Sequence, residues 1–205
     1  MKIKTELVKG KVSRVSRVSL ETKAIQPAEV VLALNTCRNL TLNSRVNKKW
    51  YLYLRVRWET GIRPGEALNI KVDDIFSDKI RIYRFKKTGR PEDFVPIQPN
   101  LYQELEQYIK QYKIKGKLFP ETIQGATYIW NKIKKKAGLR SCLTLHSFRH
   151  GFAYNFLRQA KTLSASDALA QLQRALNHEN INTTSQYIRP TFDAISKTIK
   201  GMKFK

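Results

Sequence analysis

Residues 46–68 read VNKKWYLYLRVRWETGIRPGEAL, and this stretch decides the fold class. Trp50, Leu54 and Trp58 recur every fourth residue, the spacing of one face of an α-helix. A helix carrying two tryptophans and a leucine in register is a core helix, and its aromatics are packing groups rather than platforms for stacked bases. Gly61 interrupts the run. Beyond it, IRPGEALNIKVDDI predicts a second short helix with Glu66, Leu68 and Ile70 near its middle. Arg63 thus follows a glycine turn at the mouth of a helix, where its planar fork can face an oxyanion. Arginines near turns are common on surfaces, so this placement alone assigns no function.

Outward from this core the elements alternate. Upstream, Gln26-Pro27-Ala28-Glu29 opens VVLALNTCRNL with a proline and an acid in the first turn, the signature of a helix start. Residues 1–25 show no firm helical period and read as a basic arm or a short strand. Downstream, KIRIYRF and DFVPI are β-branched and aromatic runs on either side of KKTGRPE, a strand–turn–strand pattern. NLYQELEQYIKQY is helical, Phe119-Pro120 breaks it, and GATYIWNKIKKKAG is a further helix stopped at Gly138. From about Thr144 to Ile199 the chain is helix-rich. The expectation is a mostly α domain with a small antiparallel β-sheet (α+β), undivided between residues 26 and 190, with an N-terminal arm at 1–25 and a basic tail at 191–205.

Composition narrows the class of partner. The 205 residues hold 39 Lys and Arg against 16 Asp and Glu, a net charge of +23 and a pI near 10.2. Basic side chains that neutralise phosphates release condensed counterions, so such an excess favours nucleic acid, although membrane-surface and coat proteins share it. Hydrophobic residues make up 41%, enough for a core and against wholesale disorder. Cys37 and Cys142 form neither a disulfide framework nor a CxxC pair and read as reduced thiols. No apolar run reaches about 18 residues, so no membrane span is expected. The start, MKIKTELVKGKVSRV, lacks the apolar centre of a secretory signal. The chain is therefore expected to stay in the compartment where it is made, the cytoplasm.

Two further islands carry reactive groups. In Leu145-His146-Ser147-Phe148-Arg149-His150, helical spacing puts His146 and Arg149 on one face, with His150 beside His146 one turn on. Two histidines four apart can bind zinc, but the glutamate of HExxH is missing and no cysteine pair is near, so no metal site is expected. An arginine beside a histidine suits a phosphate better, as a charge clamp with a proton donor or acceptor. The last island is LNHENINTTSQY, residues 176–187, in which His178 precedes Tyr187 by nine positions.

In order and spacing, TGIRPGE, the KTG hairpin turn, HSFRH and LNHENINTTSQY resemble the catalytic domain of tyrosine recombinases, a family that includes phage integrases and small DNA invertases. The resemblance covers about residues 26–190, and the last two motifs are the specific ones. Family forms are TGLR-x-x-E, H-x-L-R-H and L-G-H-x-x-x-x-T-T-x-x-Y. Phe148 stands for the usual leucine and Asn177 for the usual glycine, and the segment between Arg149 and His178 is long and lacks a common glycine. No reactive group is lost. Residue by residue, the resemblance implies Arg63 and Arg149 as clamps on the non-bridging phosphate oxygens and Tyr187 as the nucleophile forming a 3′-phosphotyrosine. It implies Lys87, or its neighbour Lys86, as the acid for the departing 5′-hydroxyl. His146 would help accept the tyrosine proton, and His178 would hydrogen-bond the phosphate.

The same resemblance implies site-specific cutting and rejoining of double-stranded DNA with no cofactor and no metal. Further expectations are self-association as a tetramer on paired sites, with the tail packing in trans, and an accessory DNA-bending protein or second recombinase. NKIKKKAG and KKTGR are expected to contact backbone phosphates. Residues before Gln26 are too few for the DNA-clamping domain that commonly precedes this one. Alternative readings are a type IB topoisomerase-like relaxing enzyme and a non-catalytic DNA-binding regulator derived from a recombinase.

Overall fold

Helix α3 (Ser44–Thr60) is the axis of the molecule, and its composition explains why. Ten of its seventeen residues are buried, on all sides rather than along one stripe, so it has to be surrounded by other elements. Asn43 caps its start by accepting a bond from the Val46 amide at 2.9 Å. Gly61, with φ of +66°, ends it in the left-handed conformation. The spacing-four residues behave as the pattern requires: Trp50 and Leu54 are core and Trp58 packs against the core's edge.

In a computed structural model of the chain, the described residues are 20–40, 42–84, 92–177 and 181–187. The remaining helices are α1 (Leu20–Lys23), α2 (Pro27–Arg38), α4 (Pro64–Leu68), α5 (Pro99–Tyr112), α6 (Ile123–Lys136), α7 (Ser147–Gln159), α8 (Ala165–Leu176) and α9 (Ile181–Ser185). Strands β1 (Lys79–Tyr83) and β2 (Glu92–Pro96) pair antiparallel, with Lys79 opposite Pro96 and Tyr83 opposite Glu92. The segment between them, residues 85–91, expected from sequence to be a turn, lies outside the described residues. Helices α2, α5 and α7 lie against α3, and their apolar faces complete one main core. Leu52, Leu101, Leu105 and Phe148 are fully enclosed there, each stabilising the fold by about 2 kcal/mol. A smaller cluster of Ala153, Leu172, Leu176 and Tyr187 joins α7, α8 and the segment after α9.

Three differences from expectation have physical causes. The second helix stops at Leu68, and a 3₁₀ turn (Val72–Asp74) follows, because Ile70 leaves the helix to accept a bond from the Leu118 amide at 2.8 Å. The arm does not extend to residue 25: residues 20–23 are helical, and Ala24 and Ile25 are buried against α7. That approach is close enough that a Cβ on Gly151 would lie 2.5 Å from the Ile25 carbonyl oxygen. Arg140 ties the same region down, donating to the Thr22 and Ala24 carbonyls and to the Glu29 carboxylate, each at 2.7 Å. Finally, part of the NKIKKKAG charge is used internally. Lys134 donates to the Ser141 and Leu143 carbonyls at 2.9 and 3.0 Å, and Lys136 to the Asn39 carbonyl at 2.7 Å. Lys132 and Lys135 remain exposed. The rest of the proposed arm (1–19), the tail (191–205) and the KKTGR turn with Lys86 and Lys87 lie outside the described residues. Among those described, no helix is long and apolar enough to cross a membrane.

Candidate active site

The three sequence islands meet where α3 hands over to α4, α7 begins and α8 ends. Arg149, on the first turn of α7, is the tie between them. Its Nη1 donates to the Gly61 carbonyl at 2.9 Å and its Nη2 to the Leu176 carbonyl at 2.6 Å. Both partners are neutral, and the guanidinium is 2% exposed, with the through-space charge of Glu66 partly offsetting its own. Burial, and then repulsion from Arg63, lowers its pKa to about 10, which still leaves it protonated at neutral pH. Burying a cation without a bonded counter-charge is costly, so its two carbonyl partners do part of the work that solvent would otherwise do.

Arg63 stands beside it at the N-terminus of α4. A buried carboxylate orients it: Glu66 accepts from the Arg63 amide at 2.7 Å and from Arg63 Nη1 at 2.9 Å. Glu66 also accepts from Arg84 Nη1 at 2.9 Å, and Arg84 donates in turn to Asp93 at 3.1–3.2 Å. Asp93 receives Asn177 Nδ2 at 3.0 Å. A continuous polar chain therefore joins α4, the end of β1, β2 and the cap of α8. Burial alone would raise the Glu66 pKa, but Arg84 and the Arg63 bonds outweigh it and hold the carboxyl below its usual range. Asn177 explains one departure from the family pattern. It sits in the left-handed region at φ of +50°, where glycine is favoured and asparagine is the usual alternative.

Tyr187 is 8% exposed, its ring edge-on to Tyr154 at 5.4 Å. Its hydroxyl lies 2.9 Å from Nδ1 of His150. Burial pushes the phenol pKa up to about 12, against the pull of the Arg149 charge and with a further push from Tyr154. His146, just before α7, has its ring 5.2 Å from that of His150. Partial desolvation and then the charges of His150, Arg149, Arg57 and Arg63 push its pKa down to about 4. Burial, with Arg149 and Lys23, does the same to His150, so both rings are neutral at physiological pH.

Of the residues singled out from sequence, Arg63, His146, Arg149 and Tyr187 are thus brought into one neighbourhood. Lys87 and His178 lie outside the described residues. Sequence reasoning gave His150 no part in the reaction, yet it is the ring that meets the Tyr187 hydroxyl. The signal was available, because position 150 is one helical turn from His146. Arg84 was missed for want of any motif, as was Arg57. Arg57 is fully buried and donates to the Leu145 carbonyl beside His146, while its Nε and Nη1 have no partner among the described residues.

The model of the phage integrase family matches residues 23–193. The tyrosine recombinase XerA of Pyrococcus horikoshii is 29% identical over 169 residues, 74% of this chain and 54% of the relative. XerC of Staphylococcus aureus is 31% identical over 147 residues, 65% of this chain and 46% of the relative. The chain spans about half the length of the curated relatives it matches. Among solved structures, XerH recombinase bound to its difH substrate aligns with a TM-score of 0.67 at 22% identity, covering 85% of this chain and 52% of that one. The catalytic domain of bacteriophage HP1 integrase aligns with a TM-score of 0.62 at 22% identity, covering 87% and 94%. These likenesses show a shared fold.

Proposed function

The chain belongs to the phage integrase family, and from that premise we propose that it cuts and rejoins duplex DNA at specific sites through a covalent 3′-phosphotyrosine on Tyr187. The observation that supports the reading is that buried Arg149, bonded to carbonyls and to no carboxylate, lies within electrostatic reach of both Arg63 and Tyr187, while the Tyr187 hydroxyl meets His150 of the same helix as Arg149.

The chemistry follows from what a phosphodiester exchange demands. The Tyr187 oxygen attacks phosphorus and the DNA 5′-oxygen leaves, so one ester replaces another and rejoining requires no external energy. Charge on the non-bridging oxygens grows in the transition state. Arg149 and Arg63 are held for that charge by backbone carbonyls and by Glu66, so little reorganisation is required, and one such donor is worth about 3 kcal/mol. Lys87 protonates the leaving oxygen and His178 hydrogen-bonds the phosphate, the roles the resemblance implies for them. Exposed lysines such as Lys132 and Lys135 supply backbone contacts that position the duplex without reading its sequence. The partners are double-stranded DNA and further copies of the chain on paired sites, assembled as a tetramer, with an accessory DNA-bending or second recombinase protein. The place of action is the compartment that holds that DNA.

The test is a nicked duplex that loses its short 5′-hydroxyl fragment on cleavage and so traps the protein–DNA adduct, run in chelator without ATP. The parent accumulates adduct, Tyr187→Phe makes none, and Arg149→Ala slows it about 10²- to 10³-fold. A parent that forms no adduct, or a Tyr187→Phe protein that forms as much, overturns the reading.

A further inference from the structure

The described surface and interior hold several groups that the proposed chemistry leaves unused: the Arg57 guanidinium, the exposed Val31 and Leu32 on α2, and His150. His150 carries an inference furthest, because it touches the reacting atom. We propose, resting on the recombinase reading, that His150, and not His146 to which the resemblance gives that part, is the general base for Tyr187: its Nδ1 accepts the phenol proton as the oxygen attacks phosphorus.

The geometry meets the first requirement of a base, a heavy-atom separation of 2.9 Å from the proton it takes. The surroundings favour a ring that accepts. His150 is packed by Tyr187 and by His146, whose ring is nearly perpendicular to it, and the cations facing it are Arg149 on its own helix and Lys23 on α1. The partly buried site, and then those two charges, keep the ring unprotonated, so an acceptor nitrogen is present at neutral pH. In the free protein the arrangement is idle. With the phenol near 12 and the imidazole near 4, the proton stays on oxygen. A DNA phosphate bound to Arg149 changes the balance, because its negative charge offsets the repulsion that suppresses an imidazolium at His150. The substrate anion thereby switches on the base that its own cleavage requires, and the shielded phenol remains unreactive until DNA arrives.

The step balances. The Tyr187 O–H bond breaks and its proton goes to Nδ1, the O–P bond forms, and the P–O5′ bond breaks with its electron pair leaving on the 5′-oxygen, which takes a proton from Lys87. Rejoining runs backwards: the 5′-hydroxyl attacks, and the His150 imidazolium returns its proton to the phenol.

Single-turnover adduct formation on the nicked duplex, followed against pH, tests the proposal. The parent rate rises with pH as His150 loses its proton and then levels off. His150→Gln, which preserves polarity and bulk, is expected to bind DNA as the parent does, to react about 10²-fold slower or worse, and to lack that acidic limb. Added imidazole restores rate to His150→Ala. A His150→Gln rate within about threefold of the parent, or a large loss that keeps the acidic limb, overturns the assignment; in the second case His150 only positions the tyrosine. ¹⁵N NMR of the free protein tests the same point without DNA. Nδ1 of His150 carries the shift of an unprotonated acceptor at pH 7, and a protonated Nδ1 overturns the proposal even if the adduct assay succeeds. Failure of the recombinase reading shows differently, as a parent without adduct.

Discussion

Replacing Gly61 with alanine tests how the hinge between α3 and Arg63 is built. At φ of +66° an L side chain is strained by about 1–2 kcal/mol. The added Cβ would also lie 2.5 Å and 2.9 Å from Phe152 Cδ1 and Cγ and 3.0 Å from Leu176 Cδ2. Neither neighbour is a free chain end, since both belong to the cluster around Tyr187. Forcing one methyl group into such a contact costs about 1–3 kcal/mol. Gly61→Ala is therefore expected to lose roughly 2–5 kcal/mol, read as a lower urea midpoint with unchanged slope. For a domain of this size that corresponds to a Tm lower by roughly 4–20 °C. The two causes separate in a double-mutant cycle with Phe152→Ala. Removing the ring relieves the contact but not the backbone strain, so the pair should couple by about 1–3 kcal/mol. A Gly61→Ala protein within about 0.5 kcal/mol of the parent, or a strictly additive pair, refutes the reasoning.

Three other outcomes follow from the same structure. Glu66→Gln should cost about 3–5 kcal/mol at neutral pH, because Arg84 and Arg63 lose the buried charge they share. The folded carboxyl lies below its ordinary value of 4.5, so this stability is present above pH 4.5 and disappears as pH falls through the folded pKa. The parent and Glu66→Gln denaturation curves should therefore converge in acid, and a gap that persists there would contradict it. Of the two thiols, exposed Cys142 should react with a disulfide reagent in the native protein. Cys37, fully buried and pushed up to about 12 by burial, should react only on unfolding, and two fast thiols would contradict that. DNA affinity should fall steeply with salt, by a log–log slope near −0.9 per phosphate contacted, and a flat dependence would argue against backbone binding.

Much of the fold was legible because periodicity is a local property. The α3 run, the proline that opens α2 and the strands around the KTG turn each state their conformation in a few residues. Asn177 stood out in the sequence only as a departure from the motif's usual glycine, and the left-handed backbone that accounts for it is seen in the structure. Other features had no local signal. Arg84 and Arg57 look like two of 39 basic residues until packing buries them. The lysines of α6 looked like a phosphate-binding cluster, although Lys134 and Lys136 close carbonyl positions in their own fold. Residues 20–25 lack a helical pattern long enough to read, and their structure comes from burial of Ala24 and Ile25 against α7.

The order of motifs along the chain, its charge and its reactive groups belong to the sequence itself, because identity and spacing are covalent facts. Which of two histidines reaches the phenol belongs to tertiary structure alone. His146, the cap of α7, and His150, in its first turns, are four residues apart, and only the docking of the Tyr187 segment against α7 and α8 brings its hydroxyl to the second ring. The same holds for Arg149. The Gly61 and Leu176 carbonyls it joins are 88 and 27 residues away in sequence, so only a fold that brings all three together can keep the cation buried with its hydrogen bonds made.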